Sequence, residues 1–242
     1  MFFRVFLVVA LSTASLAWAQ VPTPEPHICD NARGDVDPAE QEKACSAVIA
    51  LGGPKDSVAV AYAHRGHSLI RRGAYDKAIE DYGRAIALDP RLAAAYRDRG
   101  VAYFLLGLYD KALPDYDEAI QLEPHEPRGY ADRCSVRAVT GRPQEAKVDC
   151  DKAIDLDPRN GPALAWRTLV HLQLGNPAAA DQDLRTVMRE DPTDPSLNYL
   201  RAMVLEARGE KIEAEAQFQA TRQLDAEAFA RLDKIYGRFR RR

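Results

Sequence analysis

The chain lacks any unbroken stretch of about 20 apolar residues, the length needed to span a bilayer, and even the apolar run near the N-terminus is shorter. Charge of one sign is also scarce. Lys and Arg number 33 against 36 Asp and Glu, a formal net charge of −3, so there is no basic field of the kind that draws nucleic acid. Aromatic residues make up only 8% and give no obvious platform for stacked bases, so nucleic acid is not an expected partner. No Walker loop, G-x-S-x-G, H-E-x-x-H or Gly-rich dinucleotide turn is present. The chain therefore carries no recognisable catalytic centre and calls for no cofactor. What remains is 46% hydrophobic and 29% charged residues over 242 positions, enough for an ordinary folded core.

The N-terminal run has the features of an export signal. Arg4 supplies a minimal positive start, Val5 to Leu16 is apolar but broken by Ser12, Thr13 and Ser15, and Ala17-Trp18-Ala19 forms an A-x-A cleavage site. Cleavage would leave a chain beginning near Gln20. No Cys follows the site, so a lipid anchor is not indicated. The expectation is an exported protein of the bacterial periplasm, or one secreted beyond it, without a transmembrane span after cleavage.

Laid against itself with a shift of 34 residues, the chain keeps whole phrases in register. Ala78 to Pro90 recurs as Ala112 to Pro124, Ala146 to Pro158 and Ala180 to Pro192. Each unit has two stretches of helical periodicity, divided by Gly73, Gly107, Gly141, Gly175 or Gly209 and closed in the first four by Asp-Pro or Glu-Pro. A helical hairpin per unit follows. With Tyr62, Gly66, Gly73, Tyr75, Ala78, Tyr82, Ala85 and Pro90 in the first unit, and their equivalents from Tyr96 to Pro124 in the second, residues 59–228 resemble five tetratricopeptide repeats. The resemblance implies an all-α fold, a right-handed α-solenoid of stacked antiparallel helix hairpins. Expected boundaries are a signal peptide 1–19, a linker 20–25, a degenerate hairpin 26–58, repeats at 59–92, 93–126, 127–160, 161–194 and 195–228, and a capping helix with a basic tail 229–242.

Within such a hairpin, position 8 of the repeat faces position 24, and sizes there should compensate. Gly66 is set against Tyr82, Gly100 against Tyr116 and Ala202 against Phe218, while the third repeat sets Cys134 against Cys150. Cys29 and Cys45 share the same separation. Two disulfides, Cys29-Cys45 and Cys134-Cys150, are expected, each worth about 3 kcal/mol for a loop of this length. Zinc is the rival, but each pair lacks two further ligands, and neither has the C-x-x-C spacing of a redox centre.

Position 7, where the family usually has Leu, is Arg65, Arg99, Arg133, Arg167 and Arg201; position 23 is Asp81, Asp115, Asp149, Asp183 and then Gln217. The degenerate hairpin has Ile28 and Ala44 at the two places, so both charges vanish together. Structural ion pairs are expected, because an unpaired buried charge is costly. The alternative is an Arg rail for an anionic ligand.

The family's ligands usually occupy the inner face, lined by the first helix of each repeat. Here that gives His64, His67, Ile70 and Arg71; Arg97, Asp98, Val101 and Phe104; Arg128, Asp132 and Ser135; and Trp166, Leu169, Leu172 and Gln173. The mixture suits a protein or peptide segment. The Lys and Asn clamp that some relatives use for a C-terminal carboxylate is missing, since no Asn stands at these positions. A non-catalytic interaction scaffold of the cell envelope is the expected function. The alternative is an envelope hydrolase or metal-handling protein using His64 and His67, although no third ligand stands near them and metal is not expected. Phe229, Leu232, Tyr236 and Phe239 share one face of the capping helix, followed by a solvated basic end from Arg238 to Arg242.

Overall fold

The computed structural model describes residues 26–30 and 36–240, and these form 13 helices. The first, α1, is Pro26–Asp30, followed by α2 (Pro38–Leu51), α3 (Lys55–Arg71) and α4 (Tyr75–Leu88). Then come α5 (Ala93–Leu105), α6 (Tyr109–Leu122), α7 (Pro127–Val139), α8 (Pro143–Leu156), α9 (Gly161–Gln173) and α10 (Pro177–Val187). The chain ends with α11 (Pro195–Ala207), α12 (Lys211–Leu224) and α13 (Ala226–Arg240). The expected signal peptide and linker, and the last two Arg of the tail, lie outside the described residues. No described helix is long and apolar enough to cross a membrane.

The hairpins owe their turns to the recurring Gly. Gly73, Gly107, Gly141, Gly175 and Gly209 all have φ between +73° and +86°, a conformation that costs a Cβ-bearing residue but not Gly. The residue after each Gly donates its N–H back to a carbonyl five residues earlier, as from Ala74 to Leu69 at 2.9 Å and from Leu108 to Tyr103 at 2.8 Å. That bond closes the first helix and sends the chain back antiparallel. Pro127, Pro143, Pro177 and Pro195 open their helices, where a missing N–H costs nothing. Asp225 caps α13 through the Ala228 N–H at 2.7 Å, so α13 starts three residues before the boundary at 229.

Successive helices pack against each other, and the first helices α3, α5, α7, α9 and α11 also meet in sequence along one side. They line the inner face of an all-α solenoid. Size compensation is visible in the first two repeats. A Cβ on Gly66 would stand 2.8 Å from the Tyr82 ring and one on Gly100 2.6 Å from the Tyr116 ring. Both rings are buried there to 1% exposure or less. In the third hairpin the disulfide Cys134–Cys150 takes their place, and Cys29–Cys45 ties α1 to α2. Toward the C-terminus the core becomes richer in Leu, Val and aromatics, with Tyr199, Phe218, Phe229 and Tyr236 in mutual contact under α13.

Candidate functional site

Four Arg of the ladder each grip the Asp sixteen residues on. Arg65 donates to Asp81 from Nε and Nη2 at 2.6 and 2.8 Å, Arg99 to Asp115 at 2.8 and 2.7 Å, Arg133 to Asp149 at 3.0 and 2.7 Å, and Arg167 to Asp183 at 2.8 and 2.8 Å. These are bidentate, charge-assisted pairs. The remaining guanidinium nitrogen reaches backward into the previous repeat. Nη1 of Arg133 meets Asp117 and that of Arg167 meets Asp151, both at 2.7 Å, while Arg65 reaches Ser46 at 3.1 Å. Each such Arg therefore ties the two helices of its own hairpin to the second helix of the one before. Asp149 also accepts from Arg137 at 2.7 Å.

Arg201 departs from the expected ladder. It is exposed and makes no ion pair among the described residues. Its forward slot holds the amide Gln217, which bonds to Asn198 at 3.3 Å. Its backward slot, sixteen residues earlier, holds Arg185, a like charge that lines the same surface depression. Neither neighbour gives it a reason to turn inward.

On the inner face the structure gathers part of the expected groove into one recess of about 290 Å³ between α3, α5 and α7. His67, Ile70, Arg97, Asp98, Val101, Arg128 and Asp132 line it, joined by Tyr82, Ala131, Asn160 and Pro162. Arg97 donates to one oxygen of Asp98 from Nε and Nη2, at 3.0 and 2.6 Å, and Arg128 is held by Glu126 at 2.7 Å. Burial pushes the Asp132 carboxyl up to about 7, against the opposing pull of Arg97. The Tyr82 hydroxyl is buried and has no hydrogen-bond partner among the described residues. Position 24 marks Tyr82 in the sequence as a packing residue opposite Gly66; nothing in the spacing shows that it also belongs to the recess.

The inner face is not one continuous channel. Phe104 on α5, Trp166 on α9 and Tyr236 on α13 meet edge to face, with centroids 6.0 and 5.8 Å apart, a favourable aromatic geometry. They form a strut across the concavity. Leu172 and Gln173 lie on its far side, in a separate depression of about 510 Å³ that Phe239 also lines. Leu169 is fully buried in the core, because α7 and α11 flank α9 on both sides. Ser135 is buried too, its hydroxyl donating to the Asp132 carbonyl at 2.6 Å. Arg71 projects outward and donates to the Val36 carbonyl at 3.0 Å. His64 and His67 line different cavities, His64 facing one beside Cys29 and Asp30. Among the described residues no group of three or more His, Cys, Asp or Glu stands ready for a metal.

Models described as TPR repeat and tetratricopeptide repeat match residues 66–107, 93–126 and 140–204. The chain belongs to the tetratricopeptide-repeat family. Solved structures agree with this in fold. A tetratricopeptide repeat protein from Parabacteroides merdae is 20% identical, with a TM-score of 0.62 over 78% of this chain and 73% of its own. A thermophilic TPR protein of Thermus thermophilus is 23% identical, TM-score 0.61, over 74% and 96%. YrrB, a TPR protein with an unusual peptide-binding site, is 18% identical, TM-score 0.55, over 80% and 98%. No curated protein matches the sequence. In this tetratricopeptide-repeat protein four of the five ladder Arg tie the two helices of their hairpin together by ion pairs.

Proposed function

We propose that this tetratricopeptide-repeat protein is a non-catalytic scaffold of the cell envelope that holds a peptide or protein segment in the N-terminal half of its concave face. The observation that carries the reading is the recess between α3, α5 and α7, where apolar Ile70 and Val101 lie beside charged Arg97, Asp98 and Asp132. That combination suits an extended segment, which offers both backbone polar groups and side chains. Structural similarity to YrrB, whose description includes a peptide-binding site, adds support from fold. The envelope location rests on the A-x-A signal and on two disulfides, which persist in oxidising compartments.

Selection from a displayed random peptide library tests the groove. Enriched peptides should lose at least tenfold in affinity for Val101→Trp, which fills the recess with a bulky ring, and should bind a convex-face variant such as Gln121→Glu normally. Peptides indifferent to Val101→Trp would sink the proposal. N-terminal sequencing of the protein from the periplasmic fraction should begin at Gln20.

A further inference from the structure

The recess holds acceptors that its own donors do not serve. Arg97 is engaged by Asp98 and Arg128 by Glu126. Asp132 is left over: half-buried in the wall of the recess, its carboxylate makes no hydrogen bond and no ion pair among the described residues. The Tyr82 side chain, 0% exposed, brings a second polar group without a partner to the same recess. Buried polar groups are normally satisfied, and an exception calls for an explanation. An anionic guest would face the carboxylates of Asp98 and Asp132, while the charges of the two Arg in the recess are already matched by Asp98 and Glu126. A cationic guest breaks nothing.

Resting on the scaffold reading, we infer that this recess is the subsite for a cationic group of the held segment, an Arg or Lys side chain or a free N-terminal amine, with Asp132 as counterion and the Tyr82 hydroxyl as second acceptor. Specificity then comes from the residue types themselves. Asp98 keeps one carboxylate oxygen unused by Arg97 and stands beside the guest. Ile70 and Val101 provide apolar wall for the methylene stem of a long side chain.

A cation at Asp132 favours the ionised carboxylate, so binding is coupled to release of one proton. The groups around Asp132 are Arg97 and Asp98 on α5, Arg128 on its own helix, Tyr116 on α6, and His67 and Tyr82 across the recess. The α9 side contributes only Asn160 and Pro162, and α8 lines none of it. With the carboxyl at about 7, affinity should be near its limit at pH 8 and weaken about tenfold per pH unit below the midpoint, about a hundredfold by pH 5.

The test uses the mature full-length protein and three probes at millimolar concentration: N-acetylarginine methylamide, N-acetyllysine methylamide and alanine amide with its free amine. Carbon-13 NMR follows the Asp132 carboxyl while calorimetry follows binding. At least one probe should bind, lower the Asp132 midpoint, and lose tenfold or more in Asp132→Asn, with the pH dependence flattened; Tyr82→Phe should lose several-fold. His67→Gln should keep the pH dependence, which separates Asp132 from the neighbouring imidazole. The best of the three tells a side chain from a terminal amine. Equal binding of neutral N-acetylcitrulline methylamide, preference for N-acetylaspartate methylamide, absence of binding by all three, or indifference to Asp132→Asn in a variant with unchanged circular dichroism would overturn the inference. Library peptides that need Val101 yet ignore Asp132→Asn would leave the scaffold standing and remove only this subsite.

Discussion

A Cβ on Gly83 would stand 4.0 Å from Nη1 of Arg99, with no nearer atom to obstruct it. In the next two repeats the same place is held by Asp117 and Asp151, which accept from Arg133 and Arg167. Among the rungs that grip a forward Asp, Arg99 is thus the one with a Gly in its backward slot. Gly83→Asp should fill it, and it also removes a Gly from the interior of α4. Better helix propensity and one partly buried ion pair together should stabilise the fold by about 1 kcal/mol. Urea denaturation should show the gain, and only its helix-propensity part should survive in an Arg99→Met background.

The ladder also predicts unequal costs. Asp149 is 2% exposed in its side chain and serves both Arg133 and Arg137. Asp149→Ala should cost about 3 kcal/mol, because it removes the buried partner of two guanidinium groups and leaves Arg133 with Asp117 and Arg137 with the longer contact to Glu145. Arg201→Ala, at the rung without a partner, should change stability by less than about 0.5 kcal/mol. Similar losses for the two variants would contradict the ladder as a stabilising device.

Gly100 is needed for space and not for backbone freedom, since it lies within α5 and only a side chain would collide with Tyr116. Gly100→Ala should therefore destabilise by about 2 kcal/mol despite the better helix propensity of Ala. Adding Tyr116→Leu, which withdraws the ring, should make the second loss smaller than in the wild type. Additive losses in that double-mutant cycle would argue against the steric cause.

The contribution of Asp132 to stability should fall as pH rises from about 4 to about 7. The Asp132 carboxyl sits near 7 in the folded chain, above its ordinary value near 4, so the folded state binds the extra proton in that window and loses that advantage once the group ionises. Partial hydration of the recess limits the effect to about 1–2 kcal/mol. Asp132→Asn should remove this component, gaining on the wild type at pH 8 and not at pH 4. Melting temperatures across pH 4–8 read the difference.

Much of this molecule was legible because its chemistry repeats at a fixed spacing. The turn Gly, the Gly66 and Tyr82 pairing, the two Cys pairs and the sixteen-residue offset from Arg to Asp all follow from the geometry of one hairpin, which recurs along the chain. The backward contacts from Arg133 to Asp117 and from Arg167 to Asp151 also span sixteen residues, but in the opposite direction, and they cross between hairpins. Position 25 shows them only once the stacking is known.

By itself, then, the sequence determined the helical hairpin, its 34-residue period and the partners inside it, since short loops and facing positions leave few alternatives. Only the tertiary structure decided which side chains of the inner face stay open. The superhelical turn brings α5, α9 and α13 together although they are far apart in sequence, so that Phe104, Trp166 and Tyr236 divide the concavity. The same stacking buries Leu169 and brings Asp132 and Tyr82 to one recess, where neither side chain has a hydrogen-bond partner among the described residues. Those outcomes depend on the angle between successive hairpins, a quantity set by the packing of many side chains and carried by no single motif.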